Sequence, residues 1–157
     1  MDLDNDPMLE IPHARAIGMR VVHYSDTSVS VKVPYADHLV GDPDTGVIHG
    51  GVLTALLDNT CGMAVRPPEV TRGELSIATL DLRIDYMGAA QPHRDIYAEA
   101  TCYKRTRNVA FVRATAYQDS PNEPIATCVA AFMIGTPNTP RPEFMESAME
   151  SASEATP

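Results

Sequence analysis

Alternation of polar and apolar residues, repeated in separate segments of this chain, is the feature that most narrows its possible folds. A period of two is typical of strands that bury one face, because successive side chains of a strand point to opposite sides. A further segment, residues 125–134, is almost wholly apolar, which predicts a strand covered on both faces. The alternating segments are residues 28–33, 78–86, 96–103 and 110–117.

One long helix is predicted among these strands. Residues 50 to about 65 are apolar almost all round, as expected of a helix that is wrapped on most sides. The late strands are separated by short turns such as residues 120–122, which favours antiparallel neighbours in a meander. Alanine-rich strand faces would let the helix approach the sheet closely. The sequence therefore predicts an α+β fold, with a curled antiparallel sheet wrapped around one central helix.

The length of 157 residues fits a single domain. A chain of this size buries roughly 70% of its unfolded surface, so it needs no disulfide or structural metal. We predict a domain over residues 13–136, preceded by a flexible segment over residues 1–12. Residues 137–157 are acidic and contain little apolar content, which predicts a disordered tail. These two end segments carry most of the net charge of -9.

Composition also excludes several classes of function. An acidic chain repels nucleic acid, so a nucleic-acid partner is not expected. The apolar stretch 48–65 is interrupted by His49 and Asp58, which argues against a membrane span. No basic, apolar leader opens the chain, so we expect a cytoplasmic protein. Cofactors and metal ions are not expected, because the cysteines lack zinc-ligand spacing and are predicted to be reduced thiols. They are Cys61, Cys102 and Cys128.

Asp58 is the one formally charged residue within the apolar stretch 48–65. An ionised carboxylate on an apolar helix is costly unless it is paired, hydrogen-bonded or placed at a cleft that reaches solvent. Such a residue is a candidate for a functional site. The alternative is that Asp58 faces solvent at a helix edge or hydrogen-bonds a loop.

The sequence His49-Gly50-Gly51 opens the predicted helix. Two glycines at a helix start leave backbone N–H groups bare, and these donors can hold a carbonyl oxygen as it gains negative charge. Alternatively, the glycines only make a tight turn or close packing, and His49 either positions the loop or substrate or is an ordinary satisfied histidine. Gly51 and Asp58 lie on one side of the helix, roughly 10 Å apart along its axis. A partner subunit could bring a second acid to the glycine turn.

These residues, followed by the strand sequence of residues 81–87, resemble the PaaI-like hotdog-fold acyl-CoA thioesterases. The resemblance spans about residues 15–135. It implies an active site at the interface of a homodimer, or of a dimer of dimers. There the Gly50 N–H polarises the thioester carbonyl, and Asp58 of the partner activates water or attacks directly. The predicted catalytic group is Asp58, Gly50, His49 and Thr79, in which Thr79 matches a hydroxyl that orients the water or the acid, and Gly51 is expected to bind substrate.

A basic link between two strands is a further candidate site. Relatives in this family place basic residues near the CoA phosphates, and such a cluster attracts phosphate. The alternative is a solvated basic turn on an acidic protein. The residues of the link are Lys104, Arg105 and Arg107.

The sequence departs from the family at one position. Many relatives carry an Asn or Gln that contacts the substrate six residues before the histidine, whereas this chain has Pro43. The substrate contact could be made by Asp42 or Asp44, or no residue makes it.

The predicted function is hydrolysis of a small or medium acyl- or aryl-CoA. One alternative is a hotdog hydratase or dehydratase acting on acyl thioesters, and another is a non-catalytic module that binds acyl-CoA. A module of that kind would have no need of Asp58. The sequence does not define the acyl group, nor whether Asp58 attacks directly or activates water.

Overall fold

A computed structural model describes residues 7–67, 70 and 75–135. The predicted α+β architecture is confirmed: one long helix lies against an antiparallel sheet. Short 3-10 helices cover Pro7–Glu10 and Asp37–Leu39. The other elements are α1 (Pro12–Ala16), β1 (Arg20–Tyr24), β2 (Val29–Val33), β3 (Val40–Asp42), β4 (Val47–Ile48), α2 (Gly50–Val65), β5 (Ile77–Tyr86), β6 (Ile96–Arg105), β7 (Val109–Tyr117) and β8 (Ala126–Ile134).

The main sheet has six strands in the order β1-β2-β6-β7-β8-β5, and all neighbours are antiparallel. The predicted meander of late strands is confirmed for β6, β7 and β8. Strand β5, which precedes them in sequence, pairs with β8 from Ile77↔Ile134 to Tyr86↔Ala126 and forms one edge of the sheet. A separate two-stranded sheet, β3-β4, leads into α2.

Helix α2 packs across the sheet and contacts β2, β5, β6, β7 and β8. Its Leu56 and Leu57 side chains are fully buried. The helix ends at Val65, because Pro67 follows and the residue before a proline avoids helical backbone; Arg66 is accordingly extended, at φ -104° and ψ 126°. Small side chains on the facing strands allow the close approach that the sequence predicted. The buried alanines of the sheet are Ala98, Ala100, Ala110, Ala114, Ala116, Ala126 and Ala130.

Strand β5 contains a bulge that changes which residues face the helix. Leu80 has no partner on β8 between the pairs made by Thr79 and Asp81. A bulge adds one residue to a strand and so reverses the alternation beyond it. Thr79 therefore shares a face with Leu82, which packs against the core, and its hydroxyl reaches Asp58 although the residue is itself exposed. The strict alternation predicted for residues 78–86 is wrong at this point.

Strand β8 is covered on one face only among the described residues. Its burial alternates, with Cys128 and Ala130 buried and Val129 between them 46% exposed. The prediction that this strand is covered on both faces is therefore wrong. The physical reason is that α2 packs against the inner face, while the outer face carries no further layer within the described parts of the chain.

The first described residues join the core. Residues 7–12 fall within the segment predicted to be flexible, yet Pro7–Glu10 form a 3-10 helix and Met8 is only 1% exposed. A single buried side chain leaves no periodic signal in the sequence, which is why pattern analysis passed over it. Residues 1–6 and the tail predicted over 137–157 lie outside the described residues. In the described ranges, each helix is too short or too polar to cross a membrane.

Candidate active site

The carboxylate of Asp58 projects from the middle of α2 toward β5. The Thr79 hydroxyl donates a hydrogen bond to Asp58 Oδ1 at 3.0 Å. Asp58 is partly exposed at the mouth of a pocket of about 200 Å³, so the costly charge is both hydrogen-bonded and within reach of solvent. The bulge in β5 makes this contact possible, because it turns Thr79 inward. The pocket is lined by Ile11, Asp58, Asn59, Gly62, Met63, Arg66, Ser76, Ile77, Thr79 and Phe132.

Arg66 brings a positive charge to the wall of the same pocket. Its Nε donates to the Leu75 carbonyl at 3.2 Å, which holds the side chain near the end of α2. Arg66 was not among the residues predicted for the site. The available signal was its place just past the end of the helix, about two turns after Asp58.

At the start of α2, the backbone groups of the glycine turn can be accounted for individually. The His49 N–H donates to the Leu39 carbonyl at 2.9 Å. The Gly51 N–H donates to His49 Nδ1, also at 2.9 Å, so His49 caps the helix. The Gly50 N–H makes no hydrogen bond to any described residue. The turn therefore presents one bare donor rather than two.

This hydrogen bond indicates which ring nitrogen of His49 carries the hydrogen. Because Nδ1 accepts a hydrogen bond, the neutral imidazole carries its hydrogen on Nε2. His49 caps the helix, and its predicted role in the catalytic group stays a prediction. Since the Gly51 N–H is already engaged, the substrate-binding role predicted for Gly51 stays a prediction.

Two glycines allow the chain to pack closely around His49. A Cβ on Gly51 would lie 2.9 Å from His49 Nδ1 and would displace the imidazole. A Cβ on Gly41, in β3, would lie 2.7 Å from His49 Cα, closer than real Cβ atoms come. Gly41 was not predicted as part of the site. Its only sequence signal was a glycine inside a polar turn, which does not indicate a contact with His49.

Tyr86 and Thr54 are further residues that sequence analysis did not assign to the site. Tyr86 is the last residue of β5, and its hydroxyl lies 2.6 Å from the Thr54 hydroxyl. It also lies 3.3 Å from the Gly50 carbonyl oxygen. The end of β5 is thereby joined to the first turn of α2.

Gly50 and Asp58 lie at different points of α2. Eight residues at about 1.5 Å each place their backbones roughly 12 Å apart along the axis. An atom in hydrogen-bond contact with the Gly50 N–H therefore lies outside the direct reach of Asp58 of the same chain.

The basic link lies at the turn between β6 and β7, and its side chains are exposed. Arg105 Nη1 donates to the Val65 carbonyl at 2.8 Å, where a cation stabilises the carbonyl end of α2. The side chains of Lys104 and Arg107 make no hydrogen bond or ion pair with the described residues. The link therefore lies at the C-terminal end of α2, and its predicted contact with CoA phosphates stays a prediction.

The carboxylate of Asp42 stabilises its own turn. It accepts hydrogen bonds from the Thr45 hydroxyl at 2.7 Å and from the Asp44 N–H at 3.1 Å. These bonds, that of Thr45 foremost, hold the pKa of Asp42 below its usual value. Both groups favour the ionised carboxylate, so a role of Asp42 in substrate contact would compete with the turn.

Two cysteines that are distant in sequence meet behind the site. Cys61 Sγ and Cys128 Sγ are 4.0 Å apart, and both side chains are buried. The hydrogen bond with Cys128, followed by burial, raises the pKa of the Cys61 thiol. Among the described residues, no three or more His, Cys, Asp or Glu side chains are grouped to bind a metal ion.

Comparison with known proteins gives three kinds of match. Residues 45–125 match the model of a family described as the thioesterase superfamily. YigI of Escherichia coli K12, named a medium/long-chain acyl-CoA thioesterase, is 25% identical over 136 residues, which are 80% of this chain and 86% of YigI. A protein of Halobacterium salinarum is 31% identical over 86 residues, or 54% of this chain. That match covers 56% of the halobacterial protein, so the chain spans little more than half of this relative.

Solved structures share the fold. A crystal structure of a protein from Pseudomonas aeruginosa is 41% identical, with a TM-score of 0.69, and the match covers 81% of this chain and 98% of that one. A mutant of the phenylacetic acid degradation protein PaaI from Thermus thermophilus is 21% identical, with a TM-score of 0.66 over 78% of this chain and 97% of that one. The predicted hotdog fold and the resemblance to PaaI-like proteins are confirmed.

Proposed function

Because this chain belongs to the thioesterase superfamily, we propose that it is an acyl-CoA thioesterase. It hydrolyses the thioester bond of a small or medium acyl- or aryl-CoA to the free acid and CoA. The observation that carries this proposal is the pairing of an acid with a hydroxyl, Asp58 with Thr79 at 3.0 Å, on a helix whose first N–H is unused. The similarity to YigI adds medium and long acyl chains to the substrates worth testing.

The active form is a homodimer in which each site combines two chains. The roughly 12 Å between Gly50 and Asp58 along one helix requires the acid to come from a second copy. The exposed edge of β5 offers a surface for that copy. In the described chain, β5 is paired on one side only, by β8. Two large apolar side chains of β5 are exposed, Leu80 at 53% and Tyr86 at 53%. Met87, which follows the strand, is 60% exposed.

The chemistry divides between the two ends of the helix. The Gly50 N–H donates to the thioester carbonyl oxygen, which gains negative charge as the carbonyl carbon is attacked. The ionised Asp58 of the second copy either takes a proton from the attacking water or attacks the carbon itself. Thr79 holds Asp58 in place through its hydroxyl. The C–S bond then breaks, the CoA thiolate leaves and takes up a proton, and water supplies the oxygen of the free acid.

The test is release of free thiol from a panel of CoA esters that includes short, medium, long and aryl acyl groups. Free thiol distinguishes hydrolysis from hydration or dehydration, which leave the thioester intact. Asp58→Asn keeps the shape of the side chain and its bond from Thr79, and it should lower kcat by roughly 10²-fold or more if Asp58 is the base. Asp26→Asn, at an exposed aspartate in the β1–β2 turn, is the matched control. Thiol release by a folded Asp58→Asn at more than about a tenth of the wild-type kcat would exclude Asp58 from the reaction.

A further inference from the structure

The peptide between Gly50 and Gly51 is held from both sides. Its N–H, contributed by Gly51, donates to His49 Nδ1 at 2.9 Å. Its carbonyl oxygen, contributed by Gly50, lies 3.3 Å from the Thr54 hydroxyl and 3.3 Å from the Tyr86 hydroxyl. The bare Gly50 N–H belongs to the preceding peptide, on the other side of the Gly50 Cα. The carbonyl of that preceding peptide, contributed by His49, accepts from the Val52 N–H at 2.9 Å. The Gly50–Gly51 peptide restricts the same N–H from the other side of the Gly50 Cα.

The two hydroxyls act as one unit. Their oxygens are 2.6 Å apart, a distance at which one hydrogen must lie between them. The second hydrogen is then free to point at the Gly50 carbonyl, from either Thr54 or Tyr86. In both arrangements one hydroxyl binds the carbonyl and the other binds the first hydroxyl, so each depends on the other. Either hydroxyl alone would be a weaker support, because each lies 3.3 Å from the carbonyl oxygen, which is long for an O–H···O bond.

Tyr86 also supplies a wall beside Gly50. A Cβ built on Gly50 would meet only the Tyr86 ring, at Cε1 and 3.8 Å. The tyrosine comes from the edge strand β5, 36 residues further along the chain, and remains 53% exposed. Its hydroxyl lies within hydrogen-bond distance of the Gly50 carbonyl at the proposed site.

We propose that Thr54 and Tyr86 are positioning residues that hold the Gly50 N–H in the direction required to bind the thioester oxygen. The inference rests on the proposed function, since it takes Gly50 as the oxyanion donor. Two adjacent glycines have more conformational freedom than other residues, and a donor that must reorient during the reaction loses much of its effect. His49 and the two hydroxyls restrict that freedom from opposite ends of one peptide.

The first test is Tyr86→Phe, which removes the hydroxyl and keeps the ring. We expect kcat and kcat/KM to fall together by about five- to twentyfold, with KM nearly unchanged, because the donor acts mainly in the transition state. Thr54→Val should show a similar fall, and Thr54→Ser, which keeps a hydroxyl, should recover most of it. Tyr97→Phe is the matched control, since Tyr97 stacks on Tyr117 and its hydroxyl binds no described residue.

The double variant Tyr86→Phe/Thr54→Val tests whether the hydroxyls act as one unit. Its loss should be close to that of either single variant, because each hydroxyl depends on the other. Losses that multiply would show that the two hydroxyls act independently and would overturn the coupled arrangement. A rise in KM without a fall in kcat would place Tyr86 in substrate binding instead.

A second measurement does not depend on catalysis. Amide hydrogen exchange and ¹⁵N relaxation of the Gly50 and Gly51 amides report directly on the mobility of this turn. Tyr86→Phe should speed exchange and increase motion at these two amides, while the Tyr97→Phe control leaves them unchanged. If wild-type protein releases no CoA from any ester, the proposed function fails. The exchange and relaxation of the two amides then still show whether Tyr86 holds the glycine turn. Unchanged amides in Tyr86→Phe, or a kcat above half of wild type, would overturn the inference.

Discussion

Replacement of Gly50 by proline removes the proposed oxyanion donor and leaves α2 otherwise intact. Proline has no amide hydrogen, and at the first position of a helix this breaks no helical hydrogen bond. The preceding residue suits it as well, because His49 already has extended backbone at φ -61° and ψ 133°. Gly50 itself does not have positive φ. The variant is therefore expected to fold.

The loss expected from Gly50→Pro follows from the single bare N–H in the turn. Removal of one preorganised oxyanion donor costs roughly 10²–10³ in kcat, or about 2.7–4 kcal/mol of transition-state stabilisation. Gly50→Ala is the matched comparison, since it adds a Cβ and keeps the N–H. The added Cβ meets only Tyr86 Cε1, at an ordinary contact of 3.8 Å. Gly50→Ala should therefore stay within about threefold of wild type, which is less than 1 kcal/mol.

The assay is steady-state release of free thiol from the best CoA ester, with thermal unfolding of each variant to establish that it is folded. Two results would refute the reasoning. If Gly50→Pro keeps more than about a tenth of wild-type kcat, the Gly50 N–H contributes less than about 1.4 kcal/mol to transition-state stabilisation. Equal losses in the alanine and proline variants would assign the effect to the space beside Tyr86 and not to the missing donor.

Three other properties can be tested independently. Met8→Ala should lower the free energy of unfolding by about 2–4 kcal/mol, because Met8 is buried in the core, and a change below about 0.5 kcal/mol in chemical denaturation would contradict its packing. Thr45→Val should raise the lowered pKa of Asp42 toward 3.8 in an NMR titration. The folded turn favours the ionised carboxylate, so this contribution to stability is fully present above the pKa of Asp42 in the unfolded chain. It is lost as the pH falls through the lower pKa of the folded state. Arg107→Ala should raise KM for CoA esters but not for short thioesters that lack the nucleotide. Arg105→Ala should raise the same KM and also lower Tm, because Arg105 binds the carbonyl end of α2. Equal effects on both substrate types would exclude phosphate binding.

Much of the fold follows from local pattern. The glycine turn and Pro67 define the two ends of α2, because each residue type restricts the backbone in its own neighbourhood. Alternation identified most strands for the same reason, since the side-chain period is a local property of extended chain. Asp58 stood out because a charge on an apolar helix is costly wherever the helix packs. These features needed no knowledge of what lies beside them.

The details of the site depend on residues that are far apart in sequence. The bulge in β5 was decided by pairing with β8, and it alone turns Thr79 toward Asp58. The use of Arg105 at the end of α2 and the reach of Tyr86 to Gly50 likewise join separate elements.

By itself, the sequence determined the kind of most elements, the ends of the long helix and the position of the one charge in its apolar stretch, because those are set by local backbone and solvation preferences. Only the tertiary structure decided that the Gly51 N–H is engaged by His49, and that Tyr86 and Arg105 reach the two ends of α2. A hydrogen bond across elements depends on register and orientation, which a single shift of one residue reverses.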